Sequence, residues 1–218
     1  MPTYDRKRIT RLFDEKTEEK NALKQTEPRA TVLEKVSQTA FEQLELKSTD
    51  VLLDVGTGTG DTALAAASIC CQVIGIDVSR KSLEKARQKA SWKNIQSVTF
   101  AYGAFEEPCA ELDLHSYNIT KILAVYSLHH LPDPLKKESL HTLTELLRRP
   151  GRVVIGDIMF FEDPEPYREE FEKVYYDNGD TDFPSSIDYL TNCLKELGAH
   201  IHVERIHPLV GVVRADFV

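Results

Sequence analysis

The chain has 218 residues, 41% hydrophobic and 28% charged, which suits one globular domain with a full core and excludes a disordered chain. No apolar run approaches the roughly 20 residues that span a bilayer, and the basic N-terminus lacks the apolar stretch of a secretory signal, so a cytoplasmic protein is expected. A net charge of −8 argues against a polyanionic partner such as nucleic acid.

The four cysteines, Cys70, Cys71, Cys109 and Cys193, show no C-x-x-C spacing and no histidine at ligand distance. No metal site is expected from them. Cys70 and Cys71, at the end of an apolar helical run, read as buried small hydrophobes in a reducing compartment.

In chain order, residues 5–24 are densely charged and predict an exposed helix, which Pro28 interrupts. A second helix is predicted over 29–46, with Val32, Val36, Ala40, Phe41 and Leu44 on one face. Strands and helices then alternate: strand 51–55, helix 59–70, strand 72–77, helix 79–93, strand 97–102, strand 119–126, helix 135–148 and strand 152–160. Continuous apolar strands between helices imply a parallel sheet covered on both faces. The segment 161–185 breaks the alternation and reads as an inserted cap over the substrate site, partly helical around 167–176, where Phe171, Tyr175 and Tyr176 either pack within the cap or form a substrate cage. A helix over 186–197 ends at Gly198, and strands 200–206 and 210–217 flank a three-residue turn that requires antiparallel pairing. The domain therefore divides into N-terminal helices (1–46), a core (47–160), the cap (161–185) and a C-terminal helix and hairpin (186–218).

The strongest local signal is Val51-Leu52-Leu53-Asp54-Val55-Gly56-Thr57-Gly58-Thr59-Gly60-Asp61, a strand, a glycine turn and a helix start. Glycine lets a ligand approach the main chain, and the helix start offers free N–H groups. The pattern is G-x-G-x-G. A dinucleotide fingerprint would place glycine where Asp61 puts a negative charge, in the region a pyrophosphate would occupy. Asp77, 21 residues after Gly56 at the tip of the second strand, is placed to accept both hydroxyls of a ribose, or to cap the next helix together with Ser79.

With these residues and the C-terminal hairpin, the sequence resembles class I S-adenosylmethionine-dependent methyltransferases, and within them the small YrrT-type group. The resemblance runs from about Thr31 to Val218 and includes Val125-Tyr126-Ser127-Leu128-His129-His130-Leu131 and Gly151-Arg152-Val153-Val154-Ile155-Gly156-Asp157. It implies a three-layer α/β/α Rossmann-like fold on a seven-stranded mixed sheet, with the first strand central and the last antiparallel beside the fifth. The implied cofactor is S-adenosyl-L-methionine. Asp54, Gly56, Thr57, Gly58 and Gly60 would lie toward its methionine part, Asp77 would hold the ribose, Val78, Ala104 and Phe105 would border the adenine, and Val125 and Tyr126 would face the sulfonium. Ala104 stands where many relatives carry Asp, Tyr117-Asn118 where they carry an aromatic-acid pair, and Lys20-Asn21 where Tyr-Asp is common; Phe13-Asp14 keeps the related N-terminal motif.

The implied reaction is in-line methyl transfer to a small molecule by a monomer or homodimer, without nucleic acid or membrane partner. Alignment can supply roughly 7–11 kcal/mol of such a barrier. His129 and His130 lie after the fourth strand, where parallel sheets bind ligands. One is expected to be structural and the other a general base; His130 is the candidate, sharing the side of Leu128 if the backbone stays extended, with Tyr126 beside it. Asp157 either faces the pocket or satisfies a backbone donor, and Arg205 and His207 either reach its mouth or lie on a solvated face. The rival readings are a non-catalytic module that binds the cofactor or its demethylated product, and a nicotinamide oxidoreductase, which would need G-x-G-x-x-G and a catalytic pair that the sequence lacks.

Overall fold

The computed structural model describes residues 4–19 and 29–218. Two helices, α1 (Arg6–Glu19) and α2 (Arg29–Gln43), precede the alternating core of β1 (Val51–Val55), α3 (Asp61–Ala66), β2 (Gln72–Asp77), α4 (Arg80–Trp92), β3 (Val98–Tyr102), β4 (Lys121–Val125), α5 (Asp133–Leu146) and β5 (Gly151–Phe160). The chain ends with a two-residue β6 (Ser185–Ser186), α6 (Ile187–Glu196), β7 (His200–His207) and β8 (Val210–Phe217). The sheet order is β3-β2-β1-β4-β5-β8-β7, with β6 paired beside β5. The first five strands are parallel, while β8 runs antiparallel to both β5 and β7. This is the expected Rossmann-like α/β sheet, with one very short strand added.

Every residue of β1 is buried. Leu53 and Val55 pack on one face of the sheet with Ile74, Ile122 and Val153, and Leu52 packs on the other with Val73, Leu123 and Val154. Alternation across a strand thus feeds two cores, which is why the sequence reads as apolar without a break. Each such side chain contributes about 1.5–3 kcal/mol on burial. On the second face α2 turns Val36 and Ala40 inward, with Leu44 following just past its end. It comes so close that a Cβ on Gly156 would meet Val36 and Ala40 at 3.0 Å.

Several elements differ from their sequence-based expectation. The helix expected over 59–70 is only Asp61–Ala66, and Cys71 behind it is exposed rather than buried, because the chain leaves the helix in successive turns. The second helix stops at Gln43, and Glu45 takes a positive φ of 49°. The first helix is not simply exposed: Ile9 and Thr17 are buried, since the helix lies across the sheet's carboxyl edge. Among residues 161–185, Glu165–Val174 forms a kinked 3-10 helix. Its Phe171 and Val174 are buried in the core on the α2 side, and Phe171 and Phe160 meet Tyr176 edge-on at 4.7 and 5.5 Å. Among the described residues no helix is long and apolar enough to cross a membrane.

Candidate active site

The strand order reverses at β1, whose neighbours are β2 and β4. Diverging connections leave a crevice at the carboxyl ends of these strands, the general ligand position of open α/β sheets. The glycine turn lies there. Gly58 has φ +54°, and a Cβ on it would meet nothing within 4 Å, so its bare face opens onto the crevice. Gly60, at φ +79°, is different: a Cβ there would strike the Phe100 ring at 2.7 Å and Ala86 at 2.9 Å. Its role is helix-to-sheet packing, and it does not line the cleft, contrary to the expectation for all three glycines. Gly56 does line it, with its N–H donated to the Ile76 carbonyl at 2.8 Å.

Asp77 ties the first two strands together. One carboxylate oxygen accepts the Gly58 N–H at 2.8 Å and the other the Ser79 N–H at 2.8 Å. The N-cap of α4 is Ser79, whose hydroxyl accepts from the Ser82 N–H and donates to Asp14 at 2.6 Å. Asp77 lines the cleft although it is nearly buried. Burial raises its pKa against the backbone N–H groups of Ser79, Gly58 and Val78, which lower it. An ionised carboxylate has about four acceptor positions, so capacity remains for a ligand. Asp54 lies deeper, accepts the Thr57 hydroxyl at 2.7 Å, and is pushed up to about 6 by burial. Neither Asp54, Thr57 nor Val125 lines the cleft itself, because their side chains turn back into the sheet behind the turn.

The cleft has a volume of about 410 Å³. Val78 forms part of its wall below the turn, Ala104 and Phe105 one side, and Tyr126, Ser127 and His130 the other. Tyr126 adopts a positive φ of 48°, which ends β4 one residue earlier than expected and turns its ring toward the cleft. Its hydroxyl is buried and, among the described residues, has no hydrogen-bond partner; burial raises its pKa. Among the described residues, those over the cleft come from α1, through Ile9, Phe13, Lys16 and Thr17, and none of residues 161–185 lines it. The sequence signal for this was the Ile9, Phe13, Thr17 spacing of four in an otherwise charged helix. Lys20-Asn21 lie outside the described residues. Glu106, which sequence reasoning missed, supplies a carboxylate to the cleft two residues beyond Ala104 and accepts the Tyr4 hydroxyl at 2.6 Å.

The two histidines part company. Leu128–His130 is a 3-10 turn, not extended backbone, and Leu128 points into the core. The side-sharing argument for His130 therefore does not hold; the helical turn itself directs its ring to the cleft, against the Phe13 ring at 5.0 Å. His129 is buried below it, with Nδ1 on Asp157 and Nε2 3.5 Å from Asp182. Burial lowers its pKa, but the two carboxylates outweigh this and hold it above the ordinary histidine value. For His130, burial and the His129 charge win, and the pKa is lowered. Asp157 also accepts the N–H groups of Leu128, His129 and Ile158 at 2.9, 3.1 and 2.8 Å, so it organises the turn and does not face the cleft. Arg205 and His207 pair with Glu162 and Glu170, away from the cleft.

A family profile described as "Methyltransferase domain" matches residues 46–197. The chain belongs to this methyltransferase family. A relative from Bacillus pumilus, an uncharacterised methyltransferase, is 26% identical over 171 residues, covering 75% of this chain and 76% of that one. The 27-O-demethylrifamycin SV methyltransferase of Amycolatopsis mediterranei is 30% identical over 133 residues, covering 60% of this chain and 47% of its own length. Among solved structures, the methyltransferase fold is shared with magnesium protoporphyrin IX methyltransferase from Synechocystis, solved with bound S-adenosylhomocysteine, at a TM-score of 0.74 and 16% identity over 98% of this chain and all (100%) of that one.

His129, His130 and Asp182 place nitrogen and oxygen atoms within 4.8 Å of one another, a spacing that a metal ion spans in other proteins. Here the His130 Nδ1 lies between two acceptor oxygens, Asp182 at 3.0 Å and the Thr181 carbonyl at 3.2 Å. A proton on that nitrogen satisfies both, so the cluster is complete as a hydrogen-bonded network.

Proposed function

We propose that this methyltransferase binds S-adenosyl-L-methionine in the cleft between the glycine turn, Asp77 and α1, and methylates a small molecule. The observation that carries the reading is the Gly58–Asp77 pair at the crevice: bare backbone beside a carboxylate with acceptor capacity to spare. These residues fit the cofactor. Asp77 would accept its ribose hydroxyls; Val78, Ala104 and Phe105 would flank the adenine; Glu106 offers an acceptor for the adenine amino group where relatives use the residue at Ala104. Gly56 and Gly58 would border the methionine part, with Asp54 acting from behind through Thr57 or water. The relative acting on a rifamycin supports a small-molecule acceptor.

Bound there, the cofactor supplies an electrophilic methyl group on a sulfonium. The chain's own task is to hold the acceptor in line, exclude water and take a proton. Phe13 and Ile9 cover the cleft with apolar surface. Tyr126 gives its ring to the wall beside the acceptor, its hydroxyl being buried behind, and His130, whose pKa burial and the His129 charge lower, is the base. A base beside the cleft favours turnover over a binding module.

Calorimetry with S-adenosylmethionine, S-adenosylhomocysteine and a nicotinamide dinucleotide tests the cofactor, followed by turnover on a broad panel of small hydroxyl, amine and thiol acceptors. Tight dinucleotide binding with no response to S-adenosylmethionine overturns the assignment, and cofactor binding without turnover on any acceptor favours the non-catalytic module.

A further inference from the structure

The cap segment reaches the chemistry indirectly. Thr181 and Asp182 lie just before β6, and neither Asp182 nor its carboxylate touches the cleft, yet both residues bear on His130. Two acceptors face one ring nitrogen. The Thr181 carbonyl and an ionised carboxylate can only accept, so Nδ1 carries the hydrogen, and in a neutral imidazole the lone pair is then on Nε2. His129 has no such free edge, because both its nitrogens face carboxylates. Asp182 is itself held: it is 3% exposed, and its second oxygen accepts the Asp177 N–H at 2.9 Å. Asp177 in turn accepts N–H groups from Gly179, Asp180 and Thr181 at 3.0, 2.9 and 2.6 Å, which stiffens the loop that carries the two groups.

We propose that Asp182, with the Thr181 carbonyl, is a positioning residue that fixes His130 as its Nδ1–H tautomer and presents the Nε2 lone pair to the O–H of a hydroxyl acceptor in the cleft. This rests on the methyltransferase reading given above. As the acceptor oxygen bonds to the methyl carbon, the carbon–sulfur bond breaks with its electron pair left on sulfur, and the acceptor proton passes to Nε2. The imidazolium so formed donates through Nδ1 to Asp182, whose charge stabilises it. A base oriented by a buried acid is the same logic that operates in Ser-His-Asp hydrolases, arrived at on an unrelated fold.

Two-bond ¹⁵N–¹H correlation spectra of the full chain, with the His130 signals assigned by their loss in His130→Gln, read the tautomer directly. The expected result is Nδ1–H for His130 in the parent and loss of that preference in Asp182→Asn, whose amide can donate to Nδ1. S-adenosylhomocysteine affinity, measured on the same samples, should stay within about twofold, while kcat for a hydroxyl acceptor falls at least about 10-fold with KM little changed. That affinity reports on the cofactor reading separately. An Nε2–H tautomer in the parent overturns the proposal even if Asp182→Asn does not fold, and so does an unchanged tautomer or unchanged kcat in a folded Asp182→Asn.

Discussion

The Gly58 N–H donates to the Asp77 carboxylate at 2.8 Å, joining the turn after β1 to the tip of β2. A positive φ at Gly58 is what aims that N–H across the crevice. The cleft wall is thereby organised before any ligand arrives, so less ordering is left to oppose binding.

Asp77→Ala is expected to weaken S-adenosylhomocysteine binding by ~1.5–3 kcal/mol, the scale for losing hydrogen bonds to a charged group. Asp77→Asn, which keeps one acceptor, should lose less. Calorimetry checks both; a parent-like affinity for Asp77→Ala would reduce Asp77 to a brace for the turn.

Glycines in one turn should respond in opposite ways. At Gly58 an added side chain meets open space. Gly58→Val should therefore fold, with strain of about 1–2 kcal/mol from the left-handed backbone, and fail to bind cofactor. At Gly60 a methyl group already meets Phe100 and Ala86. Gly60→Ala should lower the melting temperature more than Gly58→Ala does, and thermal unfolding of the pair decides it.

Removing each histidine separates structure from chemistry. His129→Ala leaves the buried Asp157 and Asp182 without their shared cation, at a cost of about 3 kcal/mol and a melting temperature lower by roughly 6–12 °C. His130→Ala, which takes one donor from Asp182, should lower the melting temperature less than His129→Ala, keep cofactor affinity and lose ~10²-fold in methyl transfer. Calorimetric scans and turnover assays on the two variants would show a reversed pattern if His129 were the base.

Stability should carry a signature of Asp54. Its folded pKa of about 6 lies above the ordinary value near 3.9, so the folded state holds more protons than the unfolded between those values. The contribution of this group to stability thus falls as pH rises through that window, by an amount on the order of 2–3 kcal/mol. Asp54→Asn removes the effect. Urea unfolding of parent and variant should give a gap in favour of the variant that is near zero at about pH 4 and widens toward neutrality; a gap independent of pH would contradict it.

The segment 161–185 is expected to behave as part of the core at its aromatic end. Phe171→Ala should cost about 3 kcal/mol, as for other buried phenylalanines. Hydrogen exchange adds a second measurement: amides near Thr181 and Asp182 should gain protection when S-adenosylhomocysteine and a hydroxyl acceptor are both bound, and no change would leave the segment without a part in acceptor binding.

The sequence by itself determined the parallel core, the glycine turn and the antiparallel hairpin, because each is written in local chemistry: unbroken apolar strands such as Val51–Val55, three glycines in five positions, and a turn too short for any crossover. Val78, Ala104 and Phe105 were placed through family resemblance, and they fall at the cleft because strand ends are fixed by the sheet. Tertiary structure alone decided the rest. That α1 and not the inserted segment covers the cleft depends on a few apolar side chains, Ile9 and Phe13, finding the sheet edge. Glu106 and Tyr4 meet across 102 residues of chain, and His130 finds Thr181 across 51. No periodicity encodes such pairs, since they arise only when separate elements close on one another, and the same closure sets which imidazole is locked between carboxylates and which keeps a free edge toward the cleft.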